Sequence, residues 1–195
     1  MKKIIATLLL CFTAFQLVNA QVAKTANEIS PLLIGEKIPT TSVINSAKKT
    51  TTTDAIFKTK KTVLIVYRGG WCPYCTTQLK DLRSIEEELI GLGYQIVAVS
   101  SDIIPEDTKK YSSKYLLISD SSTQLIQNLG IAFSVPNKYA KLLGKASGGK
   151  NKTVLPAPAV YILNTESKIL FEYISPDYTN RVDEKLLLAA AKSLQ

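Results

Sequence analysis

The sequence predicts an α/β domain built on a central mixed β-sheet flanked by helices, and three observations lead there. Apolar, β-branched runs alternate along the chain with segments whose leucines recur at three- and four-residue steps. The last two strand-like runs, residues 159–163 and 169–173, are separated by a short polar turn and precede a terminal helical segment, which adds antiparallel neighbours to a parallel core. Between the first central strand and the first long helix stands Trp71-Cys72-Pro73-Tyr74-Cys75. Two cysteines with two residues between them, at a strand-to-helix junction, suit dithiol–disulfide exchange.

The elements follow in order. Residues 21–32 read as an N-terminal arm, and the domain as residues 33–195. Residues 41–44 form a short strand, and the Lys/Thr-rich stretch 46–53 is a loop. Residues 62–67 are apolar on both faces, as a central strand is. From Pro73 to Leu89 the pattern is helical, with Leu79, Leu82, Ile85 and Leu89 on one side, and Gly91-Leu92-Gly93 stops it. Residues 94–100 are the next strand, 105–114 a helix, 115–119 a strand and 121–129 a short helix ended by Gly130. Residues 131–155 form a long irregular stretch carrying Lys138, Lys141, Lys145, Lys150 and Lys152. Residues 183–194 are an amphipathic helix whose Leu186, Leu187 and Leu188 belong to the core.

The bulk properties narrow the chemistry. Lys2 and Lys3 precede an apolar stretch, and Val18-Asn19-Ala20 offers small residues at a cleavage site, so residues 1–20 read as a signal peptide of an exported, periplasmic protein. The apolar stretch is shorter than the ~18 residues a spanning helix needs, so no stable membrane insertion is expected. Cleavage removes Cys11 and leaves Cys72 and Cys75 as the only thiols. A disulfide across so short a loop removes little entropy from the unfolded chain, which favours redox use over a staple. The formal charge of +8 is spread over scattered lysines, without the clustered basic element that nucleic-acid binding requires. The sequence contains no histidine, which excludes Ser/His/Asp and Cys/His triads and nearly all zinc sites. No metal or other cofactor is expected.

The segments Tyr67-Arg-Gly-Gly-Trp-Cys-Pro-Tyr-Cys75, Pro156-Ala-Pro-Ala-Val-Tyr-Ile-Leu163 and Ser175-Pro-Asp-Tyr-Thr-Asn-Arg181 resemble the thioredoxin superfamily. More narrowly they resemble the peroxiredoxin-like branch of the alkyl hydroperoxide reductase/thiol-specific antioxidant (AhpC/TSA) family. Gly35-Glu-Lys-Ile-Pro39 is similar to that family's entry segment. The resemblance implies a thioredoxin-like fold over roughly residues 33–194. It also implies a cis peptide bond before Pro158, which would present Ala157 to substrate beside the dithiol together with Trp71, Pro73 and Tyr74.

A cysteine at a helix N-terminus is stabilised as thiolate by unpaired N–H groups and the helix dipole, with a pKa of roughly 3.5–7.5 in such motifs. Cys72 is therefore expected to be the exposed nucleophile and Cys75 the buried resolving thiol, with Cys72–Cys75 as the redox disulfide. Arg68 could add positive potential but is expected to face solvent, and nothing in the sequence places Arg181. The leading expectation is an exported thiol–disulfide oxidoreductase acting on protein disulfides or a redox partner. A peroxiredoxin-type peroxidase acting on small hydroperoxides is second. The peroxidase's usual Pro, Thr and Arg fall here on Ile65, Gly69 and Pro158, and electrostatic donors at the attacked atom carry much of such catalysis. A non-catalytic thioredoxin-fold binding module is third, and retention of both cysteines argues against it.

Overall fold

The computed structural model describes residues 22–106, 108 and 111–194. The expected signal peptide, with Cys11, lies outside them.

Seven strands form one mixed sheet in the order β2-β1-β5-β4-β3-β8-β9. They are β1 (Ser42–Asn45), β2 (Thr50–Thr52), β3 (Thr62–Val66), β4 (Gln95–Ser100), β5 (Tyr115–Ser119), β8 (Ala159–Leu163) and β9 (Ile169–Ile174). β3, β4 and β5 run parallel, while β8 is antiparallel to β3 and β9 to β8. β6 (Ala132–Ser134) and β7 (Val154–Pro156) make a separate antiparallel pair.

Side-chain alternation along the central strands feeds two cores. Val63, Ile65, Ile96, Ala98, Val160 and Ile162 point to the face that also holds Cys72 and Cys75. Leu64, Val66, Val97, Val99, Tyr161 and Leu163 point to the other, against Phe57, Leu125, Ile126 and Leu129. A strand buried on both faces needs apolar residues at every position, and β3 is buried throughout.

The helices are α1 (Thr53–Phe57), α2 (Pro73–Asp81), α3 (Glu86–Gly91), α4 (Gln124–Asn128), α5 (Ala140–Ala146) and α6 (Glu184–Ser193). The single helix expected from Pro73 to Leu89 is broken by a 3-10 turn at Leu82–Ser84. Leu79, Leu82 and Ile85 are three apart, and a helix of 3.0 residues per turn keeps such a row on one face. Leu79, Leu82, Ile85 and Leu89 are all buried as a result. In α6, Leu187 is buried and Leu188 packs at the edge of the same core, but Leu186 is exposed, because three consecutive helical residues cannot share one face.

Three other expectations are corrected. Among the described residues of 105–114 none is helical; Tyr111 is the single buried anchor, its N–H bonded to the Thr108 carbonyl, and one anchor does not make an apolar stripe. Residues 46–53 include β2, which closes a hairpin on β1. The stretch 131–155 is built rather than irregular. It holds β6, α5 and β7, Leu143 is buried, and Asn151 donates to Ser101 Oγ (3.2 Å) and the Val154 carbonyl (2.8 Å). Its five lysines are all exposed, Lys141 and Lys145 on α5 itself.

The arm is strapped onto the domain. Ser30 N–H bonds to the Gly130 carbonyl and Leu32 N–H to that of Leu129, both at 3.1 Å. Gly130 has φ +69°, and a Cβ there would lie 1.9 Å from the Ser30 carbonyl oxygen. The close approach requires glycine.

Candidate active site

β3 ends at Val66, and Tyr67 N–H still bonds to the Val99 carbonyl at 3.0 Å. The chain then leaves the sheet through Arg68-Gly69-Gly70-Trp71 and enters α2, with Cys72 at the N-cap in extended conformation and Pro73 at the first helical position. Proline suits that position because its missing N–H would have had no partner there. The Cys72 carbonyl accepts from the N–H groups of Cys75 and Thr76, both at 3.1 Å. One helical turn therefore places Cys75 beside Cys72, and both are unbonded thiols in the structure.

Their environments separate them. The Cys72 pKa is lowered to about 6, first by the hydrogen bond from the Cys75 thiol, then by the Cys75 backbone N–H and the positive charges of Arg68 and Arg181; burial opposes these. The Cys75 thiol is pushed far up, first by its hydrogen bond to Cys72, then by burial and the Cys72 charge. Cys72 is thus the thiolate and Cys75 the thiol that donates to it. Burial departs from expectation. Cys72 is 2% exposed, scarcely more than Cys75.

Arg68, whose charge acts on Cys72, is buried as well. Far from facing solvent, it is 7% exposed, with its guanidinium 4.3 Å from the Tyr178 ring centroid and 5.4 Å from that of Trp71. The flat, weakly hydrated guanidinium stacks on aromatic faces while keeping its charge. Tyr178 also meets Tyr74 edge-on at 5.7 Å between centroids. Tyr74 and Tyr178 form the exposed rim, each nearly half accessible.

Arg181 arrives from the loop between β9 and α6. Ser175 N–H bonds to the Pro158 carbonyl (3.1 Å), and Ser175 Oγ and Thr179 N–H bond within the turn at Asp177. Arg181 Nη1 donates to the carbonyls of Asn180 (2.7 Å) and Tyr178, and Nη2 lies 3.5 Å from Cys75 Sγ. A groove of about 330 Å³ runs alongside, lined by Pro73, Tyr74, Gln78, Arg181, Val182 and Glu184 among others.

Pro158 and Ala157 are placed otherwise than expected. The described residues contain no cis peptide bond. Ala157 continues out of β7, its N–H bonded to the Ile131 carbonyl (2.9 Å), and belongs to the core on the far face of the sheet. The Pro158 carbonyl instead anchors the start of the Arg181 loop at Ser175.

Asp102 completes the site and was missed from sequence. Its carboxylate accepts from Gly70 N–H (2.8 Å) and Trp71 Nε1 (3.3 Å), fixing the loop before Cys72. The available signal was position: Asp102 follows the C-terminal end of β4, and adjacent parallel strands bring those ends together. Asp102→Ala is expected to cost about 1–3 kcal/mol in denaturant unfolding, through loss of charge-assisted bonds to partly buried donors. It should also shift the emission of Trp71, the only tryptophan in the sequence. Unchanged emission and stability would remove Asp102 from this role.

Comparison with known proteins agrees with this architecture. The AhpC/TSA family pattern matches residues 34–171. A 1-Cys peroxiredoxin of Arabidopsis thaliana, PER1, is 23% identical over 168 residues, covering 81% of this chain and 69% of its own. A cysteine-to-serine mutant of peroxiredoxin 6 from Arenicola marina superposes with a TM-score of 0.66 at 17% identity, covering 84% of this chain and 73% of that one. Reduced Prx3 of Vibrio vulnificus in complex with hydrogen peroxide gives 0.65 at 14% identity, covering 82% of this chain and 99% of that one. With a thioredoxin-like fold, a thiolate at the head of α2 and the family pattern across most of its length, this chain belongs to the AhpC/TSA family of peroxiredoxin-like redox enzymes.

Proposed function

We propose that the protein is a thiol peroxidase in which Cys72 attacks a small hydroperoxide and Cys75 resolves the product as a Cys72–Cys75 disulfide. The observation that carries this is a thiolate that is both stabilised and 2% exposed. A protein disulfide must bring its own backbone to the attacking sulfur, and Cys72 offers it no open surface. A hydroperoxide of a few atoms requires far less room. The missing peroxidatic threonine and arginine counted against this reaction in the sequence. The Cys75 N–H and the charges of Arg68 and Arg181 act on Cys72 instead, and such fixed donors and charges stabilise developing negative charge. The family membership and the peroxiredoxin relatives support the same reading.

In the reaction, the Cys72 thiolate takes the terminal OH of the peroxide and becomes a sulfenic acid as the O–O bond breaks, and the departing alkoxide or hydroxide takes a proton from solvent water to leave as alcohol or water. Cys75 then displaces hydroxide to form the disulfide, which an external dithiol protein or thiol reduces. Export to the periplasm belongs to the proposal and rests on residues 1–20; sequencing the N-terminus of the protein recovered from cells tests it.

The pre-reduced protein should consume hydrogen peroxide or an alkyl hydroperoxide far faster than it reduces insulin disulfides. Thiolate, not thiol, is the nucleophile, so the rate should rise between pH 5 and 7 with a midpoint at about 6. Rapid insulin reduction without peroxide consumption would restore the dithiol-exchange reading, which the opposed states of the two thiols also suit. Neither activity would leave a binding module.

A further inference from the structure

Arg181 touches the wrong sulfur to be merely a support for peroxide attack. Its Nη2 lies 3.5 Å from Cys75 Sγ, and two backbone carbonyls of its own loop hold Nη1. Nη1 and Nη2 thus have different tasks, one anchoring the guanidinium and the other pointing a charge at the resolving sulfur. The loop is itself tied down, at Ser175 to Pro158 and at Tyr178 through the ring stacked on Arg68.

We propose that Arg181 is a catalytic residue of the second half-reaction: it stabilises Cys75 as the thiolate that attacks the Cys72 sulfenic acid. This rests on the peroxidase reading above. In that step Cys75 gives up its proton and its sulfur bonds to the Cys72 sulfur while the S–O bond breaks. The departing hydroxide and the released proton make one water. The sulfenic sulfur is reduced and the Cys75 sulfur oxidised, so no further oxidant enters.

The timing follows from which groups act on Cys75. Three influences hold its proton on: the hydrogen bond to Cys72, burial, and the Cys72 negative charge. The first and third depend on Cys72 being a thiolate, and oxidation to the neutral sulfenic acid removes them. The groups that favour the Cys75 thiolate, the Arg68 backbone N–H and the Arg181 charge, remain. Oxidation of Cys72 therefore switches Cys75 on, and Arg181 is the charged group in contact to receive it. Before oxidation the same thiol serves as the donor that keeps Cys72 ionised. One pair of residues exchanges roles within the cycle without a histidine to move the proton.

The test separates the two half-reactions. Reduced Arg181→Gln and Arg181→Lys are mixed with one equivalent of hydrogen peroxide in stopped flow, and sulfenic acid formation and disulfide formation are followed separately. Arg181→Gln should slow disulfide formation by about 100-fold, the lower end of the range for losing one stabilising donor, and slow peroxide attack by much less. Cys72 should then collect as sulfinic acid at lower peroxide doses, with Arg181→Lys recovering part of the disulfide rate. Wild-type disulfide formation in Arg181→Gln, or equal slowing of both steps, would overturn the proposal. A second measurement does not depend on peroxide. In Cys72→Ala, where no thiolate faces Cys75, the thiolate absorbance of Cys75 should appear at lower pH than in the wild type, and adding Arg181→Gln should move it back up. An unmoved titration would also overturn the role of Arg181. Failure of the wild type to react with peroxide would overturn the peroxidase reading and the sulfenic-acid step with it, whereas a titration that moves as expected would still place the Arg181 charge on Cys75.

Discussion

Cys72→Ser should abolish peroxide consumption, by about 10⁴-fold or more, since losing an active-site nucleophile costs on that order. Cys75→Ser should instead leave a single rapid turnover. The difference comes from the division of labour at the head of α2. Only Cys72 is held as a thiolate near neutral pH, and serine in its place has no comparable ionised form. Serine at position 75 keeps a hydroxyl able to donate to the Cys72 thiolate, but cannot form the disulfide. The sulfenic acid then persists and is over-oxidised by a second peroxide. Cys75→Ala removes the donor as well, and the midpoint of the attack step should move up from about 6 toward the ordinary thiol range. Single-turnover kinetics with mass analysis of the modified cysteine check all three variants. If Cys72→Ser retains single-turnover chemistry and Cys75→Ser loses it, the roles are reversed.

Gly69→Thr, which places the threonine usual in peroxidatic motifs at its aligned position, should impair the enzyme. Gly69 has φ +154°, and a Cβ there would lie 2.3 Å from Trp71 Nε1 and 2.7 and 2.8 Å from the two Asp102 carboxylate oxygens. These atoms belong to the contact that fixes the loop before Cys72. An added side chain must push the indole or the carboxylate aside, and overpacking of this kind costs about 1–3 kcal/mol. Displacement of the Cys72 loop by ~1 Å can lower a rate by about 100-fold. Peroxide kinetics and Trp71 emission should change together. A faster peroxide rate in Gly69→Thr would show that the missing hydroxyl, rather than the Trp71–Asp102 contact, is what the site lacks.

These two positions show how the site was divided between local and distant information. Cys72, Pro73 and Cys75 were legible because a strand, a tight turn and a helix start leave a contiguous trace: an apolar run, glycines, then proline at the first helical position. The central strands were legible for the same reason, since a strand buried on both faces is apolar at every residue. The 3-10 break at Leu82–Ser84 was not anticipated, although its cause, three-residue spacing of buried leucine and isoleucine, lies in the sequence. The stretch 131–155 looked irregular because its order comes from contacts beyond itself, such as Asn151 to Ser101 and Ala146 to Ile103.

The sequence by itself determined the fold class, the dithiol at the head of α2 and the reliance on sulfur in a chain without histidine. The tertiary structure decided what surrounds the sulfurs. Arg181 is 106 residues from Cys75 in sequence and reaches it through the β8–β9 pairing and the turn that follows. Arg68 is buried because Tyr178, carried by that same turn, stacks on it, and Asp102 reaches Trp71 because β3 and β4 end side by side. Periodicity reports which face of an element is apolar; it carries no information on which distant loop will close over that face. Such closure adds the charges of Arg68 and Arg181 to the hydrogen bond between the two thiols that places Cys72 below Cys75.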